Sequence, residues 1–392
     1  MTQFAPKNFD ELTQLMADIV GDKTPVNVTA AGTKQKLGNI STAEKTLDIS
    51  ALSGVMDYEP EELIITAHAA TPLSEIEGQL AKHGQMLAFE PPHLDGLYQT
   101  TSTGTIGGAL MANLSGPRRL SAGAARDFLL GFEAVSGRGT AFRSGSKVVK
   151  NVTGYDLSKL LCGSFGTMAV LDEITIKTLP APETVQTVVI ANTDFDKVCQ
   201  AARAAMQTAY EASSAAILPK SAHKLSQTAS IALIRVEGVG VSVADRVSHL
   251  IKALSVYGHA DILDEAQSVE IWRDIKNVSP ILSGDSQIWR LSVAPSDSAQ
   301  VCHAIDEKMQ ATYFADWAGG MIWVSCDDEN AHSILRNIIA TIGGGHATLM
   351  RGSDELRQTI SVFEPLAPAL ANLNKRVQES FDPFHLLNPG RL

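Results

Sequence analysis

The chain has 392 residues, enough for two or three domains, and it is 44% hydrophobic and 19% charged, as ordinary globular proteins are. Its formal net charge of −11 leaves no basic excess to neutralise phosphates, which excludes a protein whose main partner is a nucleic acid. The sequence contains no apolar run of about 18 residues, so we expect no direct membrane span, and it starts without the apolar core of a signal peptide.

The 4 cysteines stand far apart and form no CxxC pair. This spacing is typical of buried thiols in a reduced compartment, and it predicts a cytoplasmic protein. It also excludes an iron–sulfur cluster held by this chain alone, because such clusters require clustered thiolates. No pattern in the sequence indicates a metal site.

The first half of the chain alternates helix and strand signals. A helix is predicted from Asn8, which can cap it, and a strand PVNVTA then runs into the loop AGTKQKLGN. ELIITA predicts a buried strand, followed by a helix from Pro72 to about His83 with Thr71 as its cap. FLLGFEAVSGRGTAFRSG alternates strand and turn signals, and TMAVLDEITIKTLP predicts two short strands.

The prolines of LPAPE, at residues 179–183, predict a domain boundary. Beyond it VQTVVIAN, SIALIRVEG, QIWRLSVAP and GMIWVSC predict strands, and a helical segment follows each of them. This order resembles two α+β units of similar design, which would lay an antiparallel sheet against helices on one face. No sequence identity links the two units, so an internal duplication is only a hypothesis.

Two loops in the first half carry the candidate chemistry. In AAGTKQ, at residues 30–35, successive backbone N–H groups can form an anion nest, to which Thr33 adds a hydroxyl and Lys34 a charge. In TSTGTIGGALMANLSGPRR, at residues 101–119, the glycines let a ligand lie against the main chain. Each loop taken alone is a weak signal, since the second is neither a GxGxxG fingerprint nor a Walker loop. Together they favour one bound diphosphate over two surface turns.

Four motifs in this order resemble the vanillyl-alcohol-oxidase, or PCMH-type, family of FAD-binding flavoproteins: AGTKQ, TGTIGGALMANLSGPRR, KVVKNVTGYDLSKLLCGSFGTMAVLDEITIKTLP and FDPFHLLNPGRL. Within that family the chain is most similar to the FAD-binding subunits of glycolate oxidases. The resemblance implies an α+β fold with a PCMH-type two-lobed FAD-binding domain at residues 1–182. It further implies a smaller α+β cap domain with an antiparallel sheet at residues 183–350, and a C-terminal segment, residues 351–392, that packs back on the FAD-binding domain.

The resemblance also implies which residues hold FAD. The predicted cofactor-binding set is Ala31, Gly32, Thr33, Lys34, Gln35, Gly104, Thr105, Gly107, Gly108, Asn113, Ser115, Arg118, Arg119 and Val170, the last at the adenine end. Tyr155 and Asp156 are expected to be structural. Some relatives attach the flavin through a histidine in the first loop or a cysteine in the second. Neither residue occurs there, so the FAD is predicted to be noncovalent.

The implied reaction is the oxidation of glycolate or a similar 2-hydroxy acid, with electrons passed to an iron–sulfur subunit. A larger flavin-containing subunit is the other implied partner, and membrane association would come through these partners. The GDGNxH segment and Glu-His pair of the larger subunits do not occur here. TIGGGHATLMR offers His346 as a candidate base and Arg351 as a candidate carboxylate clamp, although a structural role for His346 is equally open.

Two functions therefore stay open. The chain is either an active 2-hydroxyacid dehydrogenase subunit, or a flavin-bearing relay or stabilising subunit whose larger sister chain does the chemistry. A third hypothesis, a reductase that uses a nicotinamide, is disfavoured by the GYDL block and the NPGRL tail.

Overall fold

The computed structural model describes residues 3–146, 155–226 and 228–392. The strands are β1 Gln3–Phe4, β2 Val26–Thr29, β3 Lys45–Asp48, β4 Val55–Glu59, β5 Ile64–His68, β6 Gln85–Met86, β7 Leu129–Ser136, β8 Ala141–Gly145, β9 Ala169–Lys177, β10 Leu179–Pro180, β11 Thr184–Asn192, β12 Ser214–Leu218, β13 Ser230–Gly238, β14 His259–Leu263, β15 Gln287–Ser292, β16 Thr312–Asp316, β17 Met321–Cys326 and β18 His346–Arg351.

The α-helices among the described residues are α1 Phe9–Gly21, α2 Leu73–Ala81, α3 Asp95–Tyr98, α4 Ile106–Met111, α5 Arg119–Ala122, α6 Ala125–Phe128, α7 Leu157–Leu161, α8 Phe195–Met206, α9 Gly240–Leu254, α10 Glu265–Lys276, α11 Ser298–Lys308, α12 Ala331–Ile342, α13 Asp354–Thr359 and α14 Pro368–Phe381. Single 3₁₀ turns lie at Pro60–Glu62, Lys220–Ala222, Ser279–Ile281, Pro295–Asp297 and Trp317–Gly319.

The chain divides into two compact units. The first comprises the chain up to Ser115 together with Ala124–Ala181 and Pro365–Leu392, and the second comprises Gly116–Gly123 and Pro182–Glu364. These bounds differ from the predicted ones at residue 182 and in two longer segments, since residues 116–123 and 351–364 also belong to the second unit. The latter segment stays there because it runs beside β18, where the backbone N–H of Leu349 donates to Val362 O at 2.9 Å.

The first unit contains a three-stranded parallel sheet in the order β1-β3-β2. Helix α1 packs beside it through a buried face formed by Leu12, Met16 and Ile19. The C-terminal residues continue the sheet, because Leu387 forms a parallel bridge with Val26. The loop that follows β2 therefore begins at a strand fixed on both sides.

The second sheet of this unit is antiparallel, in the order β4-β5-β9-β7-β8. Its middle strand, β9, has 9 residues, and the two-residue strand β10 follows it. TMAVLDEITIKTLP therefore forms one long and one very short strand, and the prediction of two short strands is wrong for the first of them. The buried strand predicted from ELIITA is confirmed as β5. Strand β5 leads into the turn on which the second candidate loop rests.

Two cap predictions in this unit have opposite outcomes. Asn8 caps α1 as predicted, since its Oδ1 accepts a hydrogen bond from the backbone of Glu11 at 2.9 Å. The predicted cap at Thr71 is wrong, because α2 begins at Leu73 and the Thr71 hydroxyl instead donates to His68 O at 2.7 Å. That hydroxyl stabilises the turn between β5 and α2.

The second unit is one antiparallel sheet of eight strands, in the order β14-β11-β13-β12-β16-β17-β15-β18, with helices packed against it. In chain order its elements run β11-α8-β12-β13-α9-β14 and then β15-α11-β16-β17-α12-β18. The same sequence of elements thus occurs twice, and the two halves join where Ile217 of β12 pairs with Ala315 of β16. This repeated topology supports the hypothesis of an internal duplication.

Candidate functional site

The first candidate loop leaves the end of β2 in a tight turn. Gly32 has a φ of +69°, a conformation that glycine adopts without steric cost. The next residue, Thr33, is buried, whereas Ala31 and Gln35 are exposed. The turn therefore directs the Thr33 side chain inward, with Lys34 half-buried beside it.

The second candidate loop meets the first at Gly104. A Cβ placed on Gly104 would lie only 2.6 Å from Lys34 Nζ and 2.9 Å from Thr33 Oγ1, and the φ of this residue is +89°. A Cβ on Gly108 would lie 3.6 Å from the same Nζ. The two loops, far apart in the sequence, thus converge on one ammonium and one hydroxyl, and glycine is needed for that approach.

Lys34 carries an unbalanced charge at this meeting point. Burial lowers its pKa to about 8, because the ammonium is removed from water. In the part of the chain that the structure describes, no carboxylate forms an ion pair with it. Desolvating a cation without a counter-anion is costly, and a bound anion would offset the cost. The glycine cradle and this cation therefore fit a diphosphate.

The short helix α4 begins at Ile106, two residues after Gly104. Thr105 caps it, since its Oγ1 accepts a hydrogen bond from the backbone of Gly108 at 3.2 Å. Gly107 serves a different purpose: its N–H donates to Ala69 O at 2.9 Å, and a Cβ there would lie 2.6 Å from that oxygen. This glycine packs the helix against the turn after β5, and the cofactor contact at Gly107 stays a prediction.

Two predicted residues follow α4 within the first unit. Asn113 adopts a φ of +47°, and its buried Oδ1 has no hydrogen-bond partner among the described residues. It can therefore accept a hydrogen bond from a ligand. The Ser115 hydroxyl is engaged, since it accepts a hydrogen bond from the backbone of Ala125 at 2.9 Å.

The predicted arginine pair belongs to the second unit. Arg118 Nε donates to Glu237 Oε2 at 2.9 Å, and Arg119 lies over the ring of Trp317, 4.7 Å from its centroid. Burial alone would raise the pKa of Glu237, but Arg235 and Arg118 outweigh it and hold the pKa below its ordinary value. The cofactor role of Arg118 and Arg119 stays a prediction, and the partners that the structure shows for both are side chains of the second unit.

The other residues of the first unit that the sequence singled out lie in the core, on the surface or at a helix cap. The Val170 side chain is buried in the hydrophobic cluster of α1, so its role at the adenine end stays a prediction. Tyr155 is exposed, and Asp156 caps α7 by accepting a hydrogen bond from the backbone of Lys159 at 3.1 Å. The start of the KNVTGYDL block, within residues 147–154, lies outside the described residues.

The candidate catalytic pair is not brought together. His346 and Arg351 occupy opposite ends of β18, an edge strand, which separates their Cα atoms by roughly 17 Å. His346 is exposed, whereas Arg351 is buried and donates from Nε to Ser286 O at 3.0 Å. The structure therefore does not bring the two side chains together, and their roles as base and clamp stay predictions.

The structure adds two residues that the sequence reasoning did not single out. Asn388 and Arg391, in the motif FDPFHLLNPGRL, contact the strand and loop of the diphosphate cradle. The signal for both residues in the sequence is the motif as a whole, which does not indicate a role for either of them.

Two general properties concern the described residues only. No helix there is long and apolar enough to cross a membrane. No group of three or more histidine, cysteine, aspartate or glutamate residues is placed to hold a metal ion in the same part of the chain. All four cysteines are buried free thiols.

Known proteins resemble the chain over nearly its whole length. A family model described as an FAD binding domain matches residues 3–145. Glycolate oxidase subunit GlcE of Escherichia coli (strain K12) is 31% identical over 384 residues, covering 97% of this chain and 96% of that protein. Glycolate oxidase subunit GlcD of Bacillus subtilis (strain 168) is 25% identical, covering 99% of this chain and 88% of that protein.

Solved structures agree on the fold. Substrate-bound p-cresol methylhydroxylase superposes with a TM-score of 0.74 at 14% identity, covering 99% of this chain and 88% of its own. An alkyldihydroxyacetonephosphate synthase gives a TM-score of 0.72 at 16% identity, covering 100% of this chain and 77% of its own. The predicted α+β class and PCMH-type fold are thereby confirmed. The chain belongs to the PCMH-type family of FAD-binding oxidoreductases that includes glycolate oxidase subunit GlcE, and its cofactor is FAD.

Proposed function

We propose that this chain is the FAD-binding subunit of a complex that oxidises glycolate, or a similar small 2-hydroxy acid, to the 2-oxo acid. The electrons would pass to an iron–sulfur subunit, and a larger flavin-containing subunit would complete the complex. The names of the GlcE and GlcD relatives support glycolate as the substrate and a complex of more than one subunit, whereas the iron–sulfur partner rests on the family resemblance. The main structural support for FAD binding is that Lys34 Nζ and Thr33 Oγ1 converge on Gly104.

In this proposal the cradle binds the FAD diphosphate. Lys34 offsets its negative charge, and the Thr33 hydroxyl donates a hydrogen bond to a phosphate oxygen. Gly104 and Gly108 let the diphosphate lie against the main chain, and the free Oδ1 of Asn113 accepts a hydrogen bond from the cofactor. No covalent bond is formed, since the two loops offer Lys34-Gln35 and Thr101–Thr103 where linked relatives carry histidine or cysteine.

A bound flavin supplies the acceptor for the two electrons removed from the hydroxy acid. What the chain itself contributes is the position and charge of the cofactor. Because the Lys34 ammonium is desolvated, its attraction for a phosphate is stronger than that of a surface lysine. Loss of that charge is therefore expected to weaken FAD binding more than loss of any exposed lysine nearby.

A second candidate is a flavin-bearing relay or stabilising subunit, and one observation favours it for the chemical step. His346 and Arg351 lie roughly 17 Å apart on an edge strand, and the Arg351 guanidinium already donates to a backbone carbonyl. A base and a carboxylate clamp for glycolate would then come from the larger subunit. The two candidates share the FAD site and differ only in where substrate is oxidised.

One purification separates these functions. The isolated chain is scanned for flavin absorbance, and acid precipitation must release the FAD if it is noncovalent. Glycolate is then added without oxygen: bleaching of the isolated chain supports the active subunit, whereas bleaching only after the larger subunit is added supports the relay. Folded protein that stays colourless after soaking with FAD would overturn both candidates.

A matched pair of variants tests the site itself. Lys34→Met should lower the FAD content, whereas Lys36→Met, at an exposed position two residues further along the loop, should retain it. Equal FAD content in both variants would refute the assignment of Lys34 to the diphosphate.

A further inference from the structure

The end of the chain is hydrogen-bonded to the strand that leads into the diphosphate cradle. Asn388 uses its whole amide: Nδ2 donates to Phe165 O at 2.9 Å and to Gly166 O at 3.1 Å, and Oδ1 accepts from the backbone of Val28 at 2.8 Å. Its own N–H donates to Val26 O at 2.9 Å. One side chain thus ties β2 to the segment before β9.

The last residues then run along the loop that follows β2. Thr42 N donates to Pro389 O and Asn39 N donates to Arg391 O, both at 3.1 Å. The φ of Gly390 is +79°, which turns the chain between these two contacts. The far side of the loop is therefore held by backbone hydrogen bonds to the tail.

The final contact reaches the cradle itself. The Arg391 guanidinium donates from Nη2 to the backbone carbonyl of Lys34. The same carbonyl accepts from Leu37 N at 3.1 Å, so two donors fix the peptide from which the Lys34 side chain departs. The position of the Lys34 ammonium beside Gly104 depends on the orientation of that peptide.

We propose that the segment Asn388–Leu392, here called the C-terminal clasp, holds the loop Ala31–Leu37 in its FAD-binding conformation, with Arg391 as the positioning residue. The inference rests on the proposed diphosphate site at Lys34. Arg391 does not itself touch the cofactor in this proposal. It acts through the Lys34 carbonyl, before FAD arrives, and spares the incoming cofactor the cost of ordering the loop.

The apolar anchor of the tail is separate from the clasp. Leu386 and Leu387 are buried in the hydrophobic cluster of α1, whereas Arg391 is only half-buried. Substitution of Arg391 should therefore leave the packed end of the chain in place. This separation lets a positioning role be distinguished from general stability.

The test uses the full chain freed of FAD, with Arg391→Met as the variant, Arg391→Lys as the conservative one and Arg376→Met on the exposed α14 as the control. Three quantities are measured: the Kd for FAD from quenching of flavin fluorescence, amide hydrogen exchange over residues 35–39, and the urea midpoint. We expect Arg391→Met to bind FAD about 10-fold more weakly, as the loss of one hydrogen bond from a charged donor predicts.

Arg391→Met should also exchange the loop amides faster, while the chain stays fully folded in the absence of urea. Arg391→Lys should recover part of both effects, and Arg376→Met should match the wild type. Unchanged FAD affinity and exchange in Arg391→Met would overturn the clasp, and so would a fall in its urea midpoint that accounts for the weaker binding. If the wild type itself binds no FAD, the diphosphate site fails, whereas the exchange data on the apo chains still decide whether Arg391 orders the loop.

Discussion

Replacing Gly104 with alanine tests the convergence of the two loops most directly. The added Cβ would lie 2.6 Å from Lys34 Nζ and 2.9 Å from Thr33 Oγ1, distances that real Cβ contacts do not show. The Lys34 ammonium is the end of a flexible side chain, so it can move away, and the variant should fold. In the variant, the Lys34 ammonium can no longer lie beside the main chain of the second loop.

The magnitude has two parts. An L-residue at the Gly104 φ of +89° costs about 1–2 kcal/mol of backbone strain, which lowers the free energy of unfolding. Displacing a charged donor from the diphosphate costs about 1.5–3 kcal/mol of binding free energy. The second part corresponds to a Kd for FAD that rises by about 10- to 150-fold.

Gly84→Ala is the matched control. Gly84 lies in the same unit at a φ of +63°, and a Cβ there would have no heavy atom within 4 Å. It should lose a similar free energy of unfolding in urea, yet bind FAD with wild-type affinity in a fluorescence titration. Wild-type FAD affinity in Gly104→Ala, or an equal loss of affinity in Gly84→Ala, would refute the reasoning.

Further predictions concern charge and local stability. The pKa of Lys34 is about 8 instead of 10.5, and a bound diphosphate should raise it. FAD binding should then take up a proton above pH 8, so the Kd should rise by up to about tenfold per pH unit, while Lys34→Met should lose this dependence. Without FAD the native state binds fewer protons than the unfolded state between pH 8 and 10.5, so urea unfolding should show stability increasing with pH there. Asn8→Ala should lower the free energy of unfolding by about 1 kcal/mol through loss of the α1 cap, and Asn8→Asp should retain it. Glu237→Gln should cost about 3 kcal/mol in the same assay, because two largely buried guanidinium groups lose this carboxylate, whereas Glu379→Gln in the exposed pair with Lys375 should leave stability unchanged.

Local chemistry could be predicted well from the sequence. The Asn8 cap depends on residues within one helical turn, and the φ above zero at Gly32 and Gly104 follows from glycine in tight turns. The strand predicted from ELIITA is a run of apolar residues bounded by polar ones. Features of this kind are decided by neighbours in the chain, so reading the chain in order is enough.

Other elements were missed for a physical reason. Strand β12 is the short segment SAAIL, buried on both faces, so it lacks the alternation of apolar and polar residues that marks a strand. The three glycines before His346 favour a loop, but five residue pairs with β15 hold His346–Arg351 as a strand. The pairing partner, distant in the sequence, overrides the local glycine signal.

By itself the sequence determined the family, the cofactor and the two glycine loops, because these rest on residue types in a fixed order. Only the tertiary structure decided that Lys34 Nζ stands beside Gly104 and that Arg391 holds the Lys34 carbonyl. It also decided that Arg118 pairs with Glu237 in the second unit. The physical reason is that spacing along a chain fixes which side chains are available, whereas distances between remote segments are set by the packing of whole sheets and helices.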